Sequence, residues 1–435
     1  MFARSLYYLY QLRRNLRLRP VVLQEMQRKR LRTIIKHAYE NVPFYHRKFD
    51  MVGIKPDDVK SVEDLAKVPI TTKTQVQEAS LDSFIARNVN LNICVKRATS
   101  GSTGIPLTLV ASRSAIDFEL ALTFRTYLED GMKPWHKMAR FTEQRNMQLR
   151  QHWLQRLGLI RIKYVSVFEN IEKQFSIVRE LKPDVIRGYS SCLELLARFC
   201  DDHGERVKTQ TVFTGAELLD KGAREIINSV FGTELFDLYV SMEFGLISWE
   251  CEAHAGYHIN ADSLVVEFIK NGESVRPGEK GSIVITSLFN PAMPLIRYNI
   301  GDVGIPSDES CSCGRTLPLM QLVEGRTGDY LTTLDGRIIS PTVFFPYPFE
   351  DVTWIKQFRV IQENREKILF QIITKDGFKP VEDHLEAAKA KMKQLFGENM
   401  DISFQVVEKM QANSSGKLRK IVSHVPVNFN QTPVK

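Results

Sequence analysis

Residues Thr99 to Pro106 read TSGSTGIP. Four hydroxyls and two glycines fall within six residues and stop at a proline. Such a run is too polar for a core and too flexible for a helix or strand. Its flanks are apolar: Ile93 to Ala98 (ICVKRA) and Leu107 to Val110 (LTLV) both read as strands. The pattern is therefore strand–loop–strand, not the strand–loop–helix of a Walker nucleotide loop, and the Walker lysine is missing. A loop of hydroxyls and free backbone N–H groups suits the oxygens of a phosphate chain, as anion-binding nests do.

The bulk numbers set the frame around that loop. The chain has 435 residues, 43% hydrophobic and 25% charged, which suits a soluble protein of two or three domains. No apolar run approaches the ~20 residues of a membrane helix. The N-terminal MFARSLYYLYQLRRNLRLRP lacks the apolar core and small-residue cleavage site of a signal peptide, so a cytoplasmic location is expected. The net charge is +8. Before Ile35 there are nine Lys/Arg against one acid, Glu25. This segment reads either as a solvated helix face or, with the run Leu6-Tyr7-Tyr8-Leu9-Tyr10, as a peripheral foot on an anionic membrane. No nucleic-acid motif accompanies the charge. Six cysteines without a secretion signal do not make a disulfide framework.

Further along, apolar spacing predicts a helix over 22–48, broken at Asn41-Val42-Pro43. A capping pair is expected at Ser61 and Asp64, and Ser114 is expected to cap a helix to about Leu128. The middle alternates strands (184–189, 210–215, 235–239) with helices (193–202, 221–230), the order of an α/β sheet with crossover helices. From Ser263 the texture turns to strands (264–270, 281–287, 314–323), read as a β-rich lobe. The last hundred residues read as a small α+β unit: strands 358–363 and 368–374, a helix over 381–395, a strand over 402–407. The expected division is a large N-terminal domain, 1–327, and a small mobile C-terminal domain, 328–435.

Polar signals stand at the strand ends: Gly215-Ala216-Glu217, Tyr239 to Gly245 with Ser241 and Glu243, Arg297 to Asp302, Gly325-Arg326 to Asp329, and Lys417 in a glycine loop. Taken singly, each reads as a turn, a cap or a surface charge. In this order they resemble the adenylate-forming superfamily of acyl-CoA synthetases. Within it the chain is most similar to the phenylacetate–CoA ligase branch and its relatives in capsular polysaccharide clusters. Residues 99–106 match the family's phosphate loop at every position. The aromatic-x-x-x-Glu block departs from the usual Thr before Glu243, where Met242 stands, and Ser241 supplies a hydroxyl one residue earlier. The N-terminal AYENVPFY, residues 38–45, also looks like this branch.

The resemblance implies roles. Thr99, Ser100, Gly101, Ser102, Thr103 and Gly104 would hold the ATP phosphates, and Glu243 would bind Mg²⁺. Gly215, Ala216 and Glu217 would line the adenine side, Tyr239 would stack on the base, and Asp302 would accept the ribose hydroxyls. Arg326 would reach ribose or phosphate at the hinge. Lys417 would stabilise charge developing between carboxylate and α-phosphate. The implied reaction joins a small-molecule carboxylic acid to AMP and then passes the acyl group to CoA. The alternatives are transfer to an amine, a sugar or a carrier protein, and a scaffold that only binds nucleotide. A homodimer is left open.

A metal centre is expected at Cys251, His258, Cys311 and Cys313, with His254 as the alternative imidazole. Three thiols and one imidazole form a common structural zinc set, and no position remains for an activated water. Walls for the acid are sought among Trp135, Phe141, Tyr164, Phe168, Tyr189 and Phe213, whose aromatic character suits an aryl or apolar acid.

Overall fold

The computed structural model describes residues 2–98, 107–142, 158–167, 169, 171–324, 331–336, 338–339, 349, 352, 354–375, 377–410 and 421–426. The chain divides into two compact units. One comprises 1–300 with 304–323, the other 301–303 with 324–435.

The first unit begins with helices α1 (Phe2–Asn15), α2 (Pro20–Asn41) and α3 (Pro43–Met51). Pro20 and Pro43 each open a helix, where a missing N–H costs nothing. Pro43 thus splits the expected 22–48 helix in two. Leu23, Leu31, Ile34, Ile35 and Ala38 are buried at helical spacing, while Leu6, Tyr7, Tyr10 and Val21 face solvent. Ser61 and Asp64 bond reciprocally, Ser61 N donating to Asp64 Oδ2 at 3.0 Å and Asp64 N to Ser61 Oγ at 3.4 Å. Two short helices follow, α4 (Lys73–Glu78) and α5 (Leu81–Phe84).

Strands β1 (Val95–Ala98) and β2 (Thr108–Ala111) pair antiparallel, with Ala98 opposite Thr108. Helix α6 (Arg113–Glu129) comes next. Its cap is Ser112, whose Oγ accepts from Ala115 N at 3.1 Å, not Ser114, which already lies inside the first turn.

Twelve strands form one sheet. Its parallel half holds β3 (Lys137–Thr142), β4 (Arg161–Ser166), β5 (Val185–Arg187), β6 (Thr211–Gly215) and β7 (Leu235–Ser241). Helices α7 (Ile171–Leu181), α8 (Ser190–Asp202) and α9 (Lys221–Phe231) are the crossovers. They cover one face, over Ala139, Val165, Ile186 and Val212. Helices α1 and α6 cover the other, over Met138, Val185, Phe213 and Leu238. Both faces are buried, as parallel strands require.

The strand-rich stretch is not a detached lobe. It continues the same sheet as β8 (Gly245–Glu250), β9 (Tyr257–Ile259), β10 (Leu264–Lys270), β11 (Glu273–Ser274), β12 (Gly281–Ser287), β13 (Tyr298–Ser307) and β14 (Leu319–Glu324), in the order β11-β10-β12-β13-β14-β9-β8-β7-β6-β5-β3-β4. The tight β7–β8 hairpin makes the join: Ser241 pairs with Gly245.

The N-terminal residues pack against this antiparallel half. Tyr45 is fully buried and accepts a hydrogen bond from Ile296 N at 2.8 Å. Arg297 pairs with Glu267, Nη2 to Oε1 2.9 Å, and donates to Val68 O at 2.7 Å. The AYENVPFY segment therefore fastens the chain just before Asp302.

In the second unit β17 (Ile355–Asn364), β18 (Lys367–Thr374), β19 (Asp401–Val406) and β20 (Ile421–Ser423) form a sheet ordered β19-β18-β17-β20. Helix α10 (Glu382–Phe396) lays Leu385, Ala388, Met392 and Phe396 on Val360, Phe370 and Ile372. The hairpin of β15 (Leu331–Thr332) and β16 (Ile338–Ile339) belongs to the same unit. Among the described residues no helix is long and apolar enough to cross a membrane.

Candidate active site and metal centre

Residues 99–106 lie outside the described residues, but both strands that hold them are in place. The Ala98–Thr108 pairing brings the two ends of the loop together. Beside them, the β7–β8 turn carries Met242, Glu243 and Phe244. Ser241 Oγ accepts from Phe244 N at 3.1 Å, so the displaced hydroxyl shapes the turn that presents Glu243. Met242 is 43% exposed. Arg97 of β1, Leu109, Val110 and Ala111 of β2, Glu119 of α6 and residues 242–245 line one recess. Asn290 completes its wall, donating to Val110 O at 2.9 Å and accepting from Ser112 N at 3.3 Å. The strand ends that hold residues 99–106 and Glu243 therefore share one cavity.

Within the recess Glu243 Oε2 is buried without a hydrogen-bond partner among the described residues. Leaving such an atom unpaired is costly. A hard carboxylate oxygen of this kind is what Mg²⁺ binds, so the donor fits that ion. Arg97 Nη1 is 2.9 Å from both oxygens of Glu119.

At the end of β6, Gly215 lies so close to β7 that a Cβ would sit 2.6 Å from Leu238 O. Ala216 takes a left-handed φ of 65°, and Glu217 Oε2 accepts from Ser191 N at 2.9 Å. Tyr239 is half-buried near the end of β7. Asp302, buried on β13, follows Gly301 at φ 82°.

The four metal candidates converge. One ligand atom from each of Cys251, His258, Cys311 and Cys313 lies within 4.8 Å of the others. Cys251 Sγ and Cys311 Sγ are 3.6 Å apart, and His258 Nε2 is 3.3 Å from the sulfurs of Cys251 and Cys313. A zinc tetrahedron with Zn–S ≈ 2.3 Å and Zn–N ≈ 2.0–2.1 Å puts sulfurs about 3.8 Å apart and sulfur and nitrogen about 3.5 Å apart. The cluster thus fits zinc with little adjustment. His258 Nδ1 lies 3.4 Å from Leu317 O, the outer contact that orients a ligating imidazole. Burial lowers the His258 pKa to about 4, leaving the ring neutral as a ligand must be. Burial raises Cys251 and Cys311. Cys313 is lowered, because the hydrogen bonds from Arg315 outweigh its burial. His254 turns elsewhere, 3.2 Å from Glu234 and 3.6 Å from Glu250, with its ring stacked on Phe236.

Arg326, Lys417 and Phe168 lie outside the described residues. Of the aromatic walls, Trp135 is 57% exposed, and Phe141 packs on the α7–α9 face, away from α6. Phe213 does face α6. Tyr164 is in register with Arg140, and Tyr189 follows Arg187 at the head of α8. Sequence reading missed Arg97, Glu119 and Asn290. An arginine two residues before the hydroxyl-rich loop is the visible signal for the first. Nothing local marks the other two, which reach the recess through the fold.

With this geometry in view, similarity to known proteins becomes decisive. The chain is 31% identical over 349 residues to the phenylacetate-coenzyme A ligase of Escherichia coli (strain K12), covering 76% of this chain and 75% of that protein. It belongs to the phenylacetate–CoA ligase family. The enzyme of the same name from Thermus thermophilus is 27% identical over 334 residues, 74% of each chain. The CapK C-terminal domain family matches residues 331–424. A solved 2-hydroxyisobutyryl-CoA ligase, in the postadenylation state with 2-HIB-AMP, superposes with a TM-score of 0.77 at 19% identity, covering 94% of this chain and 91% of that one. The expected α/β architecture and branch are borne out.

Proposed function

We propose that this chain activates a carboxylic acid with ATP and transfers the acyl group to CoA. The observation that carries the reading is the recess in which the roots of the hydroxyl-rich loop meet a Glu243 carboxylate oxygen that has no hydrogen-bond partner among the described residues. Thr99 to Gly104 bind the triphosphate. Glu243 is the ligand for Mg²⁺, which when bound neutralises phosphate charge during attack at the α-phosphorus. Gly215, Ala216, Glu217 and Tyr239 hold adenine, and Asp302 the ribose. The substrate carboxylate attacks the α-phosphorus, pyrophosphate leaves, and the mixed anhydride forms. Lys417 and Arg326 stabilise the charge that develops. The thiol of CoA then attacks the acyl carbon and AMP departs. Residues 328–435 form the domain that brings Lys417 in and keeps water off the adenylate.

Cys251, His258, Cys311 and Cys313 hold a structural zinc, which ties the chain after Glu243 to the loop after Asp302. The exposed Leu6, Tyr7 and Tyr10 beside Arg14, Arg17 and Arg19 give the basic N-terminal helices a surface suited to anionic lipid. Sedimentation with phosphatidylserine vesicles, reversed by salt, would support that contact. No binding at low salt would remove it.

The reaction is tested by acid-dependent exchange of labelled pyrophosphate into ATP across a panel of aryl and aliphatic acids. Exchange that needs both acid and Mg²⁺ is the expected result, and Lys417→Ala should lose it while retaining ATP binding. No exchange with any acid defeats the proposal. The match of residues 331–424 to the CapK C-terminal domain favours one second reading, in which the acyl group passes to an amine, sugar or carrier protein. Product analysis with CoA and with these acceptors decides between them.

A further inference from the structure

On the α6 face of the sheet, β4, β3, β5 and β6 bring four side chains into line. Arg140 is in register with Tyr164 and with Arg187, and Arg187 with Phe213. Register partners on neighbouring strands project to the same side. Two guanidinium groups therefore stand beside each other, walled by aromatic rings. Arg187 lies over the Tyr127 ring, 5.3 Å from its centroid, and Arg140 over Tyr164 at 6.0 Å. Neither arginine forms an ion pair with a carboxylate among the described residues, whereas Arg97, Arg125, Arg224, Arg297 and Arg315 all do. Burial lowers the Arg187 pKa, and Arg140 adds to the effect. The Tyr127 hydroxyl beside them is buried without a hydrogen-bond partner among the described residues. Both arginines are half-buried, so water satisfies part of each guanidinium, and two adjacent cations with a spare donor and no anion among the described residues form a ready site for an anionic group.

Helix α6 runs past both the recess and the arginine pair. Along α6, Glu119, Leu120, Thr123 and Tyr127 follow helical spacing, and Leu120 is 43% exposed. Glu119 lines the recess with Glu243, and Tyr127 lies eight residues further, ~12 Å along the helix axis. An acid of about that length, with its carboxylate beside Glu243, would set its far end near Tyr127 and Arg187.

We propose that the acid activated by this protein carries a second anionic group, held by Arg187 and Arg140 at the far end of the α6 face. A planar carboxylate or a phosphate suits the paired guanidinium forks. The proposal rests on the recess being the activation site, and it deepens that reading by naming the substrate class.

The test pairs each diacid with a monoacid: 1,4-phenylenediacetate with phenylacetate, and suberate with octanoate. Two readouts are taken, acid-dependent pyrophosphate exchange and the ligand-induced shift in Tm, the second requiring no turnover. Wild type should favour a diacid by ~10-fold, as suits charge-assisted hydrogen bonds to half-buried guanidinium groups. Arg187→Gln should abolish the preference while exchange with the monoacid persists, Arg187→Lys should restore part of it, and Arg140→Gln gives an independent variant. A monoacid used as well as its diacid, or a diacid that shifts the Tm of Arg187→Gln as much as wild type, overturns the proposal. So does the absence of any diacid-specific Tm shift. Loss of exchange with every acid alongside a diacid-specific, Arg187-dependent Tm shift defeats the activation reading and leaves the anion site standing.

Discussion

Glu119 and Gly245 are in mutual contact at the mouth of the recess. A Cβ built on Gly245 would lie 2.8 Å from Glu119 Cγ, and Gly245 holds φ at 66°. The same Glu119 carboxylate accepts from Arg97 at 2.9 Å. One side chain on α6 thereby touches both the strand that enters the hydroxyl-rich loop and the turn that carries Glu243.

Gly245→Ala should suffer twice, from the left-handed backbone and from the clash with Glu119. A loss of ~1–3 kcal/mol is expected from such strain, read as a lowered midpoint in urea. Its KM for Mg·ATP should rise. Glu119→Ala made in the same background should recover part of the stability, because it removes the obstructing atoms.

The cysteine–histidine cluster predicts about one zinc per chain by elemental analysis of protein purified without chelator. Cys251→Ser or Cys313→Ser should lower that content and the Tm together. His254→Ala should leave the zinc content unchanged, since its ring faces Glu234 and Glu250. Loss of metal in the His254 variant alone would move the site.

Asp237 predicts a pH dependence. It is buried on β7, accepting from Thr214 Oγ1 at 2.6 Å and Tyr257 Oη at 2.8 Å. Burial, aided by Glu250, pushes its pKa up from 3.8 to about 6. The folded state then holds this proton more tightly than the unfolded chain. Its contribution is full below pH 3.8 and is lost as pH rises to about 6, a change on the order of 2–3 kcal/mol. Asp237→Asn keeps a neutral group with one acceptor and one donor. It should be as stable as wild type or more so at pH 7, with a flatter stability profile between pH 4 and 6.

The buried pair of Arg125 and Asp262 is 2.6 Å apart and fully enclosed, with Asn15 Nδ2 also donating to Asp262. Arg125→Met leaves Asp262 a buried, unbalanced charge. A loss of ~3–5 kcal/mol is expected, measured by denaturant unfolding. The double variant Arg125→Met with Asp262→Leu should recover much of it.

The sequence alone determined the elements whose signals are local. The hydroxyl-rich loop between two strands, the crossover order from 184 to 241 and the strands at 264–270 and 281–287 were legible, because apolar period and turn residues depend on near neighbours. So was the Cys₃His set, since thiols and imidazole have few other reasons to gather. Only the tertiary structure decided what distant segments do together. It made the strand-rich stretch part of the same twelve-stranded sheet, because pairing of β7 with β8 depends on backbone partners that no periodicity records. It set His258, the imidazole the sequence favoured, beside the three sulfurs and turned His254 toward Glu234 and Glu250. It also set Glu119 against Gly245 and Arg140 beside Arg187. These side chains are 126 and 47 residues apart by their numbers, and contact across such separations is fixed by strand register and helix packing, which the linear order does not carry.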